Sequence, residues 1–336
     1  QEPQIIRKGQ ADMQELKIGS VTLKSNILMA PMAGVSDLPF RLLCREQGAA
    51  LVCTEMVSAK AILYNNKNTD QLMEIHPDEG SVSLQLFGSD PEIISEMARR
   101  IEERPFSVLD INMGCPVPKV VNNGEGSALM KTPLLAGKII EKTVRAIRKP
   151  VTVKIRKGFD ERHVNAVEMA KIAQESGAAA VAVHGRTREQ YYAGTADWDI
   201  IARVKQAVRI PVLGNGDVTD GKSAKKMFES TGCDGIMIGR ACQGDPWIFR
   251  RVSHFLDTGE NAPIPSGSEK KELIKRHALL QLQYKGEYTA VREMRKHLAW
   301  YTGGMPHSAS FRRRINSIET IQELLEGIEE IFGKAD

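Results

Sequence analysis

The sequence predicts an α/β fold, a (β/α)8 barrel followed by a small all-helical region. Three observations carry that expectation. From Asn26 onward, a short apolar run, a polar or Gly-rich loop and a helix-period segment recur eight times. Eight such units in about 230 residues match the count and size of a (β/α)8 barrel. No G-x-G-x-x-G follows the first run, where a doubly wound dinucleotide-binding sheet would carry its fingerprint. Beyond Pro246-Trp-Ile-Phe249 the strand pattern stops and only helical periodicity remains.

Taken in order, the expected strands are Ile27–Ala30, Ala50–Thr54, Val82–Phe87, Val108–Asn112, Val151–Ile155, Ala179–His184, Pro211–Gly214 and Gly235–Ile238. Between them Pro91–Glu103, Pro133–Arg148, Val164–Ser176 and Gly221–Ser230 have apolar residues at helical spacing. Pro91 and Pro133 take the first-turn position that proline favours, after the capping-type residues Asp90 and Thr132. Gly48, Gly177 and Gly232 close other helices. The expected organisation is an extension over 1–13, a barrel over 14–257, a linker rich in Gly, Pro, Ser and Asn over 258–268, and a helical domain over 269–336. The last contains helices at Glu269–Gln283, Tyr288–Tyr301, Ala309–Asn316 and Thr320–Phe332.

Composition narrows the function classes. The 336 residues are 42% apolar and 26% charged, ordinary for a soluble globular protein. No run approaches the roughly 18 apolar residues of a membrane span. Gln1 to Asp12 is polar and lacks a secretory h-region, and Met13 is a candidate original start. Five cysteines, an odd number without C-x-x-C pairing, argue against a disulfide framework or zinc site and for a cytoplasmic setting. The net charge of +4 is unevenly placed: residues 270–314 hold 11 Lys/Arg against 3 Glu, leaving the rest mildly acidic. That asymmetry points to a polyanionic partner met by one part of the molecule.

In such barrels chemistry sits at the carboxyl ends of the strands. The first run ends in the small-residue segment Ala30-Pro-Met-Ala-Gly34, which leaves backbone open to a flat ligand. Gln85 alternates away from Val82, Leu84 and Leu86 and so faces the barrel mouth. In Val151-Thr-Val-Lys-Ile-Arg156 the same alternation turns Thr152, Lys154 and Arg156 inward. An interior Lys calls for an anion or an electron-rich ligand. His184 ends the sixth run on the interior parity. The turns Asn215-Gly-Asp217 and Gly239-Arg240 follow runs seven and eight, where many barrels bind a phosphate with backbone N–H groups. Cys115, between Gly114 and Pro116 at the end of the fourth run, is available for proton or nucleophile work. No Asp/Glu/His set has metal-ligand spacing, so the expected cofactor is a phosphorylated organic group.

These segments, with Glu55-Met56, Asp110-Ile-Asn-Met-Gly-Cys-Pro116, Asn123-Gly-Glu-Gly-Ser-Ala128, Val183-His-Gly-Arg-Thr187 and Gly244-Asp-Pro-Trp247, together resemble the tRNA-dihydrouridine synthase family. The likeness is greatest to its bacterial B-type branch and runs from about Leu16 to the last helix. It implies a barrel holding FMN, a helical tRNA-binding domain, and reduction of the C5–C6 double bond of uridines in tRNA with NADPH or NADH as reductant. It also implies hydride transfer from flavin N5 to C6, with Cys115 protonating C5. By the same resemblance Pro31, Met32 and Ala33 line the flavin, Gln85 and Lys154 meet its ring system, and His184 lies near its polar edge. Asn215, Gly216, Asp217, Gly239 and Arg240 hold its phosphate. Asn112, Arg186, Arg312, Arg313 and Arg314 are the expected contacts to the substrate or the rest of the tRNA. A monomer with no membrane or metal partner is expected. The competing reading is a small-molecule flavin oxidoreductase of the dihydroorotate or dihydropyrimidine dehydrogenase type, for which the basic tail has no use.

Overall fold

The structure is a computed structural model that describes residues 14–305 and 308–332. The expected extension over 1–13, Met13 included, lies outside the described residues. Ten strands occur in chain order: β1 (Leu16–Ile18), β2 (Val21–Leu23), β3 (Ile27–Met29), β4 (Val52–Ser58), β5 (Val82–Phe87), β6 (Val108–Met113), β7 (Val151–Arg156), β8 (Ala180–His184), β9 (Val212–Asn215) and β10 (Gly235–Ile238). The last eight form one parallel sheet in the order β3-β10-β9-β8-β7-β6-β5-β4. Two backbone bonds close it into a barrel: Met29 N donates to Leu51 O and Ala50 N to Ile27 O, both at 2.9 Å. Each of the eight expected apolar runs is a barrel strand; Val82–Phe87 and Gly235–Ile238 match at both ends, and elsewhere an end shifts by at most four residues.

Alternation along the strands sorts the side chains. Val151, Val153 and Ile155 of β7 pack outward with the helices in the large outer core. Ala180 and Ala182 of β8, Leu213 of β9 and Met237 of β10 fill the interior instead. The β1–β2 hairpin, which sequence analysis did not anticipate, adds Leu16, Ile18 and Leu23 to that interior layer. It closes the barrel end opposite the strand termini that carry the site.

The covering helices follow their sequence signals closely. Pro91–Ile101 buries Ile94, Met97, Ala98 and Ile101, one stripe at i, i+3, i+4 and i+7. Asp90 Oδ1 accepts from Glu92 N at 2.9 Å and Ile93 N at 3.1 Å, a cap contributing about 1 kcal/mol. Thr132 departs from expectation. It precedes Pro133–Ala146 but makes no side-chain capping bond, because its backbone (φ −131°, ψ 65°) lies outside the extended region a cap uses.

After the helix Ile248–Thr258, residues 259–266 carry no regular structure. Helices follow at Gly267–Lys285, Glu287–Tyr301, Ser308–Ile315 and Ile321–Phe332. They build a second core from residues such as Ile274, Met294, Leu298, Leu324 and Ile328. Leu43 of the helix Leu38–Glu46 and Trp247 enter the same core, so the helical region is packed onto the barrel rather than tethered to it. Polar contacts tie the seam as well: Asp37 Oδ2 accepts from Gln281 Nε2 and Lys285 Nζ, both at 2.6 Å.

Candidate active site

At the carboxyl ends of the strands lies a cavity of about 600 Å³. Pro31, Met32, Ala33, Gln85, Asn112, Cys115, Lys154, His184, Asn215, Gly216, Asp217, Gly239 and Arg240 all line it. Thus thirteen of the seventeen expected site residues come together, and Arg186, Arg312, Arg313 and Arg314 do not.

The loop after β3 is small and held. Met32 N donates to Ser36 Oγ at 2.9 Å, and Gly34 N to Glu55 Oε2. Glu55 belongs to a stretch of β4 whose register with β5 shifts between Cys53 and Met56, an irregularity of the kind that re-aims side chains beside sites. Met56, from the same stretch, joins the cavity wall.

One hydrogen-bonded chain crosses the barrel interior from β7 to the cysteine loop. Thr152 Oγ1 donates to Asp110 Oδ1 at 2.6 Å and Gln85 Nε2 to Asp110 Oδ2 at 2.7 Å. Asn112 Nδ2 then donates to Gln85 Oε1 at 2.8 Å, and Asn112 Oδ1 accepts from Gly114 N at 3.2 Å and Cys115 N at 2.9 Å. Burial raises the Asp110 carboxyl despite the hydrogen bonds from Gln85 and Thr152. Asn112, expected as a substrate contact, is buried and uses both ends of its amide to position Gln85 and the Cys115 loop.

Cys115 is the half-buried exception among five free cysteines; the other four are buried. Burial raises its thiol pKa above 9.0, outweighing the Val117 amide and the Arg156 and Lys154 charges, so the group is a thiol at neutral pH. Gly126, at φ +59°, packs beneath it: a Cβ there would come 2.9 Å from Cys115 O. Arg156 fastens the same loop from the other side. Its Nε donates to Gly114 O at 2.8 Å, and its Nη1 to Thr187 O at 2.8 Å and Tyr191 O at 2.9 Å. Burial lowers the guanidinium pKa to about 10, so it stays charged.

Opposite, Lys154 Nζ donates to Asn215 Oδ1 at 3.0 Å, while Asn215 Nδ2 donates to Met237 O at 2.9 Å. Burial, then the neighbouring Arg156, lower the Lys154 pKa to about 8. Of its three N–H donors one is used, and the others are free to meet a ligand. His184 is buried; that burial and the cations Lys154, Arg156, Arg186 and Arg240 hold its imidazole neutral. Gly216, at φ +120°, lies against its ring: a Cβ would come 3.1 Å from His184 Cδ2 and 2.7 Å from Ala196 Cβ.

Arg186 does not line the cavity. Its Nη1 and Nη2 donate to Asp217 Oδ1 at 2.8 Å and Oδ2 at 2.9 Å, and its Nε donates to Ala193 O at 3.0 Å. The side chain is almost fully buried, because a guanidinium with that many internal acceptors is best satisfied inside. Burial opposes ionisation of Asp217, yet the Arg186 and Ala196 N–H bonds keep its carboxyl below the usual range. Arg240 remains half exposed, 3.4 Å from Asp217 and 4.8 Å from the Tyr192 ring.

Arg312, Arg313 and Arg314 lie on the helix Ser308–Ile315. Arg312 bonds back to Ser308, and Arg314 pairs with Glu330 at 2.5 Å, so two of the three charges are engaged within the helical region. Met56 and Arg156 were noted in the sequence without a site role, and Tyr191 and Tyr192 were not singled out at all. The inward parity expected for Arg156 holds, and its hydrogen bonds to the cysteine loop give it a part in the site. Tyr191 and Tyr192, adjacent exposed aromatics in edge-on contact at the cavity rim, gave no signal. Tyr191 has φ +54°, a left-handed backbone conformation uncommon for a bulky residue.

A closed parallel barrel with a cavity at its strand termini, lined by apolar side chains and by the cations Lys154, Arg156 and Arg240, defines an α/β-barrel protein. Solved structures of that fold superpose on it. One is an amine oxidase for 6-hydroxypseudooxynicotine from Pseudomonas geniculata N1 (TM-score 0.60, 14% identity, 79% of this chain). This chain spans about half of that protein, 52% of its length. Another is morphinone reductase (TM-score 0.53, 14% identity, 77% of this chain and 93% of the other). At those identities the likeness concerns the fold alone. Residues 28–335 match dihydrouridine synthase (Dus), and the chain belongs to that family. It is 44% identical over 318 residues to a probable tRNA-dihydrouridine synthase of Rickettsia conorii, covering 94% of this chain and 96% of that one. It is 43% identical over 324 residues to tRNA-dihydrouridine synthase B of Pseudomonas aeruginosa (96% and 97%) and 41% over 317 to that of Vibrio cholerae (94% and 98%). The similarity is thus to the bacterial B-type branch. Among the described residues no helix is long and apolar enough to cross a membrane, and no group of three or more His, Cys, Asp or Glu could hold a metal ion.

Proposed function

We propose that this chain is a tRNA-dihydrouridine synthase that saturates the C5–C6 bond of uridines in tRNA, with FMN as resident cofactor and NADPH as reductant, acting as a monomer in the cytoplasm. The observation that carries the reading is Cys115, a protonated thiol on the rim of a cavity whose opposite wall offers Lys154 and glycine turns. The cavity fits a phosphorylated, flat heteroaromatic group. Ala30, Pro31 and Ala33 give one small-residue wall, Lys154 retains unused donors, and Gly216 and Gly239 leave backbone accessible beside the Arg240 cation. Bound there, the flavin would supply hydride to C6 of the uracil after taking electrons from NADPH.

The chain's own residues do the rest. Cys115 donates its proton to C5, which completes the reduction, and the resulting thiolate regains a proton from solvent. Asn112 and Arg156 hold that thiol's loop from both sides, so the acid is positioned before substrate arrives. Neutral His184 can donate or accept a hydrogen bond without adding charge. Extruding a uridine from folded tRNA costs a few kcal/mol, which contacts between the basic helical region and phosphates would offset.

The test is direct. Purified protein should carry yellow flavin absorbance, and with NADPH it should raise the dihydrouridine content of unmodified tRNA measured by mass spectrometry after digestion. A colourless protein that gains no dihydrouridine activity on added FMN would refute the proposal.

A further inference from the structure

The expected RNA contacts Arg312 and Arg314 are engaged locally, and so is most of the basic segment around them. Lys271 and Lys275 pair with Glu329, Arg276 with Glu46, and Lys285 with Asp37 and Glu293; Arg295 donates to Ile318 O. Arg313, too, has no carboxylate partner among the described residues, but the aromatic residue of its helix, Phe311, is buried; on one face of the helix Glu287–Tyr301 such cations sit beside an exposed ring. Tyr288, Arg292 and Lys296 stand at i, i+4 and i+8, so they line one side of that helix. Among the described residues no carboxylate pairs with Arg292 or Lys296.

The position of this face matters as much as its charge. Lys296 Nζ donates to Gly34 O, in the loop whose Ala33 and Val35 line the cavity. One turn further, Trp300 packs so closely on Gly244, next to the cavity-lining Gln243, that a Cβ on Gly244 would come 2.5 Å from the Trp300 carbonyl carbon. The helix therefore meets the cavity rim with its last turns and carries Tyr288 away from it, about 12 Å along the axis from Lys296 at 1.5 Å per residue. Tyr288 is 71% exposed. The Arg292 guanidinium lies 3.4 Å from the centre of its ring, and its Nη1 donates to Tyr288 O at 3.1 Å. One face of the tyrosine is thus covered and the ring is held in place, while the other faces solvent.

A fixed aromatic ring with one open face, backed by Arg292 and followed by Lys296 at the cavity rim, neither cation paired with a carboxylate, matches how single-stranded RNA is held: base on ring, phosphates on cations. We infer that Tyr288 is a stacking platform for an unpaired nucleotide of the tRNA, and that Arg292 and Lys296 carry the backbone from it to the cavity mouth. This rests on the proposed tRNA substrate. It makes the Tyr288–Arg292–Lys296 face, rather than Arg312–Arg314, the RNA-docking surface of the helical region.

The experiment measures binding of an unmodified tRNA transcript to the full chain over a range of salt concentrations. The proteins compared are wild type, Tyr288→Ala, Tyr288→Phe, Arg292→Ala and Arg313→Ala, each checked for an unchanged thermal midpoint. Tyr288→Ala should weaken binding about tenfold with the salt slope preserved, and Tyr288→Phe should restore it, because stacking uses the ring face. Arg292→Ala should reduce the logarithmic salt slope by about one, and Arg313→Ala should change little. Wild-type affinity in both Tyr288→Ala and Arg292→Ala, or a loss in Arg313→Ala larger than in either, would overturn the inference while leaving the tRNA reading intact. Failure of the wild-type protein to bind tRNA would remove the proposed function, and this inference with it.

Discussion

Replacing Cys115 with alanine should separate the two halves of the proposed reaction. The thiol is half buried, so its removal should cost about 1 kcal/mol of stability. Its chemical cost is larger. A positioned general acid contributes 10²- to 10⁴-fold, about 3 to 5 kcal/mol of barrier at 1.36 kcal/mol per factor of ten. Cys115→Ala should therefore retain flavin and accept electrons from NADPH at the wild-type rate, yet transfer them to tRNA at least a hundredfold more slowly. Stopped-flow bleaching of the flavin reports the first half. Single-turnover mixing of reduced enzyme with tRNA, followed by dihydrouridine analysis, reports the second. The pH profile gives a second check. The acid must hold its proton, and burial raises the thiol above its ordinary 9.0, so the wild-type transfer step should stay flat through pH 8 and fall only above about pH 9. That alkaline limb should vanish in Cys115→Ala. Undiminished transfer in the variant, or a wild-type rate that rises as the thiol ionises, would refute the assignment of Cys115 as the acid.

Further outcomes follow from the same geometry. Lys154→Met should lower flavin affinity at least tenfold, read by recovery of flavin fluorescence on dilution, because it removes the half-buried cation facing the cavity; unchanged affinity would take Lys154 out of the cofactor site. Arg156→Ala orphans the carbonyls of Gly114, Thr187 and Tyr191, so it should destabilise the chain by about 2 to 4 kcal/mol in urea titration. It should also slow transfer to tRNA more than flavin reduction; equal slowing would argue against a role in positioning Cys115. At the seam, burial lowers His277 from 6.5 to about 4, so between those values the unfolded chain binds a proton that the folded chain does not. Its contribution is intact above pH 6.5 and is lost as pH falls toward 4, by about 3 kcal/mol. Urea midpoints at pH 7 and pH 4.5 should diverge less in His277→Phe than in wild type; equal divergence would place the acid sensitivity elsewhere.

The barrel was legible because each barrel strand falls within an apolar run of four to six residues or overlaps one, and the helices between them carry their own period and, in several cases such as Asp90, their own cap. The β1–β2 hairpin was not, since two three-residue strands give alternation nothing to repeat over. Lys154, Gln85 and His184 were reached by strand parity, which is a local property. Arg186 follows His184 just as plausibly, but its fate depends on Asp217, 31 residues later, which draws it inside. The charges of Arg312–Arg314 were visible, and their pairing was not, because Glu330 arrives only when another helix packs alongside. Tyr191 and Tyr192 are held at the rim by the bond from Arg156 to the Tyr191 carbonyl and by those from Arg186 to Ala193 and Gly194. Long-range partners, more than local pattern, decided which candidate residues face the cavity.

The most direct test of the central claim is dihydrouridine formation in unmodified tRNA by the purified chain with FMN and NADPH, quantified by mass spectrometry of digested nucleosides. The account predicts at least one new dihydrouridine per accepting tRNA and none without NADPH. Protein that binds FMN and oxidises NADPH but leaves every uridine intact would contradict it.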